Sequence, residues 1–281
     1  MNSSSQNILD AQKVHGGPIA AAGKPSRLLC LAGFALVAVL AAGPAAAATV
    51  TYDTAPYWPV VSGIFGGVGP GQSSTVAETF IAPAGTTVTL NDFSFYAESY
   101  YPYNGGVASL YLRPFVFVWS GSLTGTGGGA VGNALYLGSS FLYQPPPRPG
   151  GWVPLTATLP GNGLTLSPGQ HYVMGFTLSY PADYAASQGD IEFQFVPARN
   201  PNYNPPPIPP GVDFGSGGAV WLNNGNNFAA LNTTVWDTWG DIGVLAFTAH
   251  FTVVPEPSRC ALFALGLPAL FAACRRKGKE A

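Results

Sequence analysis

The sequence has few charged residues and little cysteine. Only 9% of its 281 residues are Asp, Glu, Lys or Arg, against roughly a quarter in an average soluble domain. Its three cysteines, Cys30, Cys260 and Cys274, lie near the two ends of the chain. The central part therefore has neither a disulfide framework nor a thiolate metal site.

Lysine is missing from the central part altogether. Between Thr49 and Val254 three arginines stand against ten acidic residues, a net charge of about −7. A protein that binds nucleic acid needs clustered Lys and Arg to neutralise phosphates. This charge excludes nucleic acid as a partner.

The motifs of common enzyme classes are also missing. We find no Gly-x-Ser-x-Gly, His-Glu-x-x-His, phosphate-loop or Cys-x-x-Cys pattern, and no helix is predicted after the glycine cluster Gly66–Gly71. The central histidines are His171, at a predicted strand start, and His250, on the predicted outward face of the last strand. A solvated histidine is the ordinary interpretation of both.

The first 48 residues have the order of a secretory signal. Two basic residues precede the apolar run Leu28–Leu40, which is followed by a run of alanines. Cleavage after Ala47 or Ala48 would leave a chain that starts near Thr49. The segment predicts export through the Sec machinery and removal by signal peptidase.

The other end combines a short motif, an apolar run and a basic tail. Val254-Pro255-Glu256-Pro257 precedes the run Cys260–Cys274, which as a helix would span roughly 22 Å, less than the roughly 30 Å of a bilayer core. This length predicts a transient membrane helix. The basic residues that follow should stay on the cytoplasmic side and set the topology; they are Arg275, Arg276, Lys277 and Lys279.

This arrangement over Val254–Lys279 resembles the PEP-CTERM sorting signal. The resemblance implies recognition by an exosortase-like membrane transpeptidase that cuts at Pro-Glu-Pro, and association with the exopolysaccharide or outer envelope of a Gram-negative bacterium. The same kind of tail is also classified as an ice-binding protein C-terminal domain, which is no evidence that the rest of the chain binds ice. An ordinary C-terminal membrane anchor is the alternative.

Three parts follow: a leader and signal peptide at 1–48, an exported domain at 49–253 and the sorting signal at 254–281. The exported part is rich in Gly and Pro and shows strands of period two, as in Ile191–Phe195, Tyr172–Leu178 and Val244–Val254. These features predict an all-β fold, an antiparallel β-sandwich or jelly roll flanked by the two terminal helices. The order of its strand segments also resembles the β-sandwiches often carried by PEP-CTERM proteins.

Two groups of residues are candidates for binding or chemistry. Trp236 and Trp239 offer flat surfaces for sugar rings, and Asp237 and Asp241 could bind Ca²⁺ or sugar hydroxyls, although core packing beside a turn explains the tryptophans as well. Asp190 and Glu192 share one strand face. They could act as a carboxylate pair in a polysaccharide hydrolase or lyase, or simply line a solvated face.

The leading hypothesis is a non-enzymatic envelope or matrix protein, structural or weakly adhesive toward exopolysaccharide. The alternatives are a carbohydrate-binding module, with or without Ca²⁺, and a polysaccharide-cleaving enzyme. No cofactor and no bound metal are expected.

Overall fold

The computed structural model describes residues 46–54, 63–99, 107–123, 127–146, 151–196, 217–238 and 243–255, all within one compact unit, Pro44–Ser258. These residues are mostly β-strand, with a single α-helix, α1 (Pro181–Ala186), and a 3-10 helix at Phe228–Asn232. The strands in these ranges are β1 (Ala48–Asp53), β2 (Gly63–Val68), β3 (Thr75–Ile81), β4 (Thr87–Ser99), β5 (Leu110–Ser120), β6 (Gly129–Leu137), β7 (Phe141–Tyr143), β8 (Val153–Thr158), β9 (Leu164–Leu166), β10 (His171–Thr177), β11 (Ile191–Val196), β12 (Ala219–Leu222), β13 (Asp237–Thr238), β14 (Val244–Leu245) and β15 (Phe247–Val254).

The strands form two antiparallel sheets, which confirms the predicted all-β class. Sheet A has the order β1-β15-β4-β11-β14, with β8 and β9 also on β4 and β2 on β11. Sheet B has the order β13-β12-β3-β10-β5-β6, with β7 also on β5. Antiparallel pairing suits a chain whose Gly- and Pro-rich turns connect short strands.

Aromatic side chains pack the two sheets face to face. Phe93 and Phe95 of sheet A lie 5.3 and 5.6 Å from Phe176 of sheet B, measured between ring centroids. Phe80 and Phe251 meet across the same layer at 5.8 Å. The predicted inward stripes of β10 and β15 are confirmed, since their alternate apolar residues are buried in this layer.

Sheet B is buried on its other face too. Phe115, Phe117 and Val173 belong to a second cluster that is closed by Leu231 and Trp236 from the segment after β12. This explains why β5 is apolar on both faces. Pro114 lies inside β5, between the stretches that pair with β7 and β6. Its missing N–H does not interrupt the pairing of β5 with β10.

Strand β11 corrects one expectation. Ile191 and Phe193 face the core as predicted, but Glu192 and Gln194 are also buried, with 4% and 2% of their surface exposed. The opposite face of β11 is therefore not a solvated face.

The short helix α1 was not predicted from the sequence. The Arg113 guanidinium on β5 contacts Asp183 of α1 through Nε at 2.5 Å and lies 4.2 Å from the Tyr180 ring. Ser140 Oγ donates to the other Asp183 oxygen at 2.8 Å. These contacts hold six helical residues on sheet B, where local propensity alone would not form a helix.

No helix in the described ranges is long and apolar enough to cross a bilayer. The predicted signal helix and C-terminal membrane helix fall on residues outside those ranges.

Candidate functional site

The outward face of sheet A carries an ordered array of polar side chains. Strand register aligns them in three rows of four across β1, β15, β4 and then β9 or β8. We call this array the hydroxyl face. Its rows are Thr49-Thr252-Thr89-Thr165, Thr51-His250-Asp92-Thr158 and Asp53-Thr248-Ser94-Thr156.

Eight of these twelve residues are threonine and one is serine. Threonine suits a strand because its branched Cβ fits the pleated surface, and its hydroxyl can both donate and accept hydrogen bonds. Neighbouring strands lie about 4.8 Å apart, and alternate residues of one strand lie about 6.7 Å apart. On β1 and β15, where the polar residues alternate without a break, the face therefore presents outward side chains at a regular spacing.

An acid and a histidine occupy the middle of this face. The His250 Nδ1 and Asp92 Oδ1 atoms are 2.6 Å apart, and the two side chains are 42% and 30% exposed. Asp53 accepts a hydrogen bond from Thr248 Oγ1 at 3.3 Å in the next row. Both carboxyl groups of the face thus lie among hydroxyl groups at its surface.

A bulge beside Asp92 opens a groove. Asn91 is the extra residue, because His250 pairs with Asp92 while Phe251 pairs with Leu90. Its amide nitrogen donates to Thr252 Oγ1 at 3.0 Å. The groove, about 510 Å³ in volume, lies between this bulge and the turn that joins β8 to β9; its polar lining comes from Thr89, Asn91, Asp92, Thr158, Asn162 and Thr252.

Of the residues proposed for glycan contact, the structure describes Trp236 and Asp237, and it does not bring these two to a common surface. Trp236 is 2% exposed, donates from Nε1 to the Leu231 carbonyl at 2.8 Å and packs edge-on against Trp119. Its ring is therefore part of the core, as the core-packing alternative predicted. Asp237 is exposed on β13, and Trp239 and Asp241 lie outside the described residues.

The candidate acidic pair, Asp190 and Glu192, lies at the start of β11. Glu192 lies opposite Glu98 in the register of β11 and β4, and both are buried. Burial raises the pKa of Asp190, whose Oδ1 atom accepts no hydrogen bond from any described residue. The pairing of Glu192 with Glu98 could not be read from the sequence, where the two residues are far apart.

No group of three or more His, Cys, Asp or Glu side chains in the described ranges is placed to hold a metal ion.

The two expected processing sites, one at each end of the exported domain, lie at strand ends as far as the structure describes them. Ala47 and Ala48 are exposed at the start of β1, and Val254 ends β15 with Pro255 exposed behind it. Glu256, Pro257 and the basic residues 275, 276, 277 and 279 lie outside the described residues.

No protein-family model and no curated protein matches this sequence. Among solved structures, the chain is similar to the cysteine protease and lectin-like domains of Cwp84, a surface layer associated protein of Clostridium difficile. The identity is 9% and the TM-score 0.31, over 68% of this chain and 36% of that chain. The chain thus spans about a third of that structure.

Proposed function

We propose that this chain is an exported envelope or matrix protein that adheres to neutral exopolysaccharide through its hydroxyl face. The observation that carries the proposal is the register of the three polar rows across sheet A. The adhesive surface is a sheet face with a groove along it, and the sandwich behind it keeps that face rigid.

Sugar hydroxyl groups and threonine hydroxyl groups have matching hydrogen-bonding capacity, since each can donate and accept. One such bond contributes only about 0.5 to 1.5 kcal/mol. A polysaccharide repeats its hydroxyl groups along the chain, so that several rows can be engaged together and weak contacts add through multivalency. Weak adhesion to a long polymer is the expected behaviour.

The negative charge of the domain favours a neutral polysaccharide over an anionic one. Its net charge of about −7 repels a polyanion such as a uronate-rich polysaccharide. The hydroxyl face adds Asp92 and Asp53 to that field. A neutral polysaccharide avoids this repulsion, and its hydroxyl groups can donate to both carboxylates.

The segments before and after the domain direct its export and its sorting in this proposal. In this proposal the Sec machinery and signal peptidase handle residues 1–48, and an exosortase-like transpeptidase handles residues 254–281 during a transient stay in the inner membrane. The domain then remains in the outer envelope or extracellular matrix of a Gram-negative bacterium. The support is the order of motif, apolar run and basic tail in the sequence.

The domain acts by adhesion without turnover in this proposal. The sequence contains no recognisable catalytic motif. Glu192, half of the acidic pair considered for a hydrolase, is 4% exposed and too deep to reach a polymer at the surface.

The test is retention of the purified exported protein on immobilised neutral and uronate-rich polysaccharides. Replacing Thr49, Thr89, Thr165 and Thr252 together by valine keeps the branched shape of one row and removes four hydroxyl groups. We expect the neutral polymer to retain the unaltered protein and to release the variant early.

A control variant with Thr233→Val and Thr234→Val removes two exposed hydroxyl groups from the segment that covers sheet B and should be retained like the unaltered protein. Equal retention of both variants would contradict the proposal. Retention that required Ca²⁺ would instead favour a Ca²⁺-dependent site at Asp237 and Asp241, and release of sugar fragments would favour an enzyme.

A further inference from the structure

The two expected processing sites lie side by side at one end of sheet A. Strands β1 and β15 pair antiparallel from Ala48 opposite Val253 to Asp53 opposite Thr248. Directly opposite residues in such a pair have Cα atoms about 4.5 to 5.5 Å apart. The chain therefore enters the domain beside the point at which it leaves.

The exit point is held firmly. The Val254 carbonyl accepts hydrogen bonds from the Thr86 backbone N–H at 2.8 Å and from Thr86 Oγ1 at 3.1 Å. Gly85 fits closely beneath it, since a Cβ there would lie 2.6 Å from Val253 Cγ1. Ordered strand continues up to the first residue of the sorting motif, with no spacer between them.

Strand β15 cannot be detached without opening the core. It lies between β1 and β4 in sheet A, and its Phe247, Ala249 and Phe251 side chains are completely buried. Three extended residues reach at most about 10 Å. An enzyme that cuts within Pro255-Glu256-Pro257 therefore works close against the sandwich.

We infer that the sorting enzyme acts on the folded domain, with β1 and β15 already paired, and that it cuts on the C-terminal side of Val254. This inference rests on the proposed sorting of the chain by its tail. The cut breaks one peptide bond: the acyl group passes to a nucleophile of the enzyme and then to an amine or water, and the tail leaves with a free amino group.

The turn before β4 and the turn before β10 meet beside the exit of β15, so an enzyme that cuts there works against them. Gly169 N–H donates to the Ala82 carbonyl at 3.0 Å and joins the two turns beside the exit of β15. Neither turn, 82–86 or 167–170, contains a charged residue. An uncharged end can approach an anionic membrane surface without repulsion.

A disulfide between β1 and β15 tests the order of events. Thr51 and His250 lie opposite each other and point outward, at a separation that a disulfide accepts, and the periplasm is oxidising. In the full-length chain, Thr51→Cys with His250→Cys should form this disulfide while the tail is still attached. Processing is read by mass spectrometry of the C-terminus and by gel mobility without reductant.

We expect the locked precursor to lose its tail as completely as the unaltered chain, and the product to end beyond Val254. A second pair, Ser94→Cys with Thr156→Cys on β4 and β8, controls for the effect of a disulfide on export. All four substituted residues belong to the hydroxyl face. The experiment therefore measures only the removal of the tail, and not the binding of polysaccharide.

An accumulating uncut precursor in the first pair, with the second pair cut, would overturn the inference. A product that ends inside β15 would overturn it too. An unaltered chain that keeps its tail would instead refute the proposed sorting, and the inference with it.

Discussion

His250 and Asp92 lie opposite each other on neighbouring strands, with Nδ1 and Oδ1 2.6 Å apart. Both side chains belong to the middle row of the hydroxyl face and remain partly exposed. A hydrogen bond between them holds the carboxylate beside the bulge at Asn91. The second Asp92 oxygen can then accept a sugar hydroxyl at the groove.

This pair predicts a coupled loss of binding. Asp92→Ala removes the acceptor and His250→Ala removes the group that orients it, so each change should weaken binding to neutral polysaccharide. A loss of about tenfold corresponds to about 1.4 kcal/mol. Because the two residues act together, the double variant should lose little more than either single one. Affinity measurement by calorimetry or surface binding checks this.

Asp237→Ala provides the matched control, since Asp237 is an exposed carboxylate on sheet B. It should bind like the unaltered protein. Additive losses in the double variant would show that the two residues act independently.

A second prediction concerns the break between β14 and β15. Thr54 is completely buried, accepts the Phe247 N–H at 2.7 Å and donates to the Leu245 carbonyl at 2.8 Å. Thr54→Val keeps the shape but leaves the Phe247 N–H without this acceptor. The free energy of unfolding should fall by about 1 to 3 kcal/mol, as measured by urea denaturation.

Thr51→Val is the control for that change, because Thr51 is exposed on β1, the strand that leads directly into Thr54. Its effect should stay within about 0.5 kcal/mol. Equal effects at both positions would mean that the buried hydrogen bonds of Thr54 contribute nothing.

Trp236 provides a third prediction, which separates packing from recognition. Its indole fills the space between Phe115 and Trp119. Trp236→Ala should therefore lower the free energy of unfolding by about 3 to 5 kcal/mol. Trp236→Phe keeps part of the ring and should be milder, with unchanged retention on polysaccharide. If a stably folded Trp236→Phe variant were no longer retained on polysaccharide, Trp236 would have to be a sugar contact.

Trp236 also shows where sequence reasoning stops. Its spacing from Trp239 fits both a sugar platform and a core position, and only the tertiary fold decides. The segment after β12 turns back over sheet B, so that the backbone N–H of Trp236 donates to the Gly128 carbonyl at 3.0 Å. No local pattern encodes that return.

Period-two alternation predicted the inward residues of β10 and β15 correctly, because burial on one sheet face depends on local pattern. The outward threonines of β15 follow from the same alternation. Their alignment with Thr49, Thr89 and Thr165 does not, since register between distant strands depends on turns and bulges such as the one at Asn91.

The fourth prediction is a pH dependence from Asp190. Burial raises the pKa of this carboxyl in the folded state above the value of about 3.9 in an unfolded chain. As pH rises through this window the unfolded chain releases the proton first, so the folded state loses stability. The loss of stability is complete above the pKa of Asp190 in the folded state, and it is absent below the pKa in the unfolded state.

Asp190→Asn removes this cost because the amide carries no charge. The variant should be more stable than the unaltered protein at pH 7 and equal to it at about pH 3, where both side chains are neutral. Urea unfolding at the two pH values measures the difference, and Asp237→Asn on the open surface of β13 provides the control. A gain of the same size at both pH values would show that the introduced amide acts by packing against Gly69, the glycine beside the Asp190 Oδ1 atom, and not by the loss of charge.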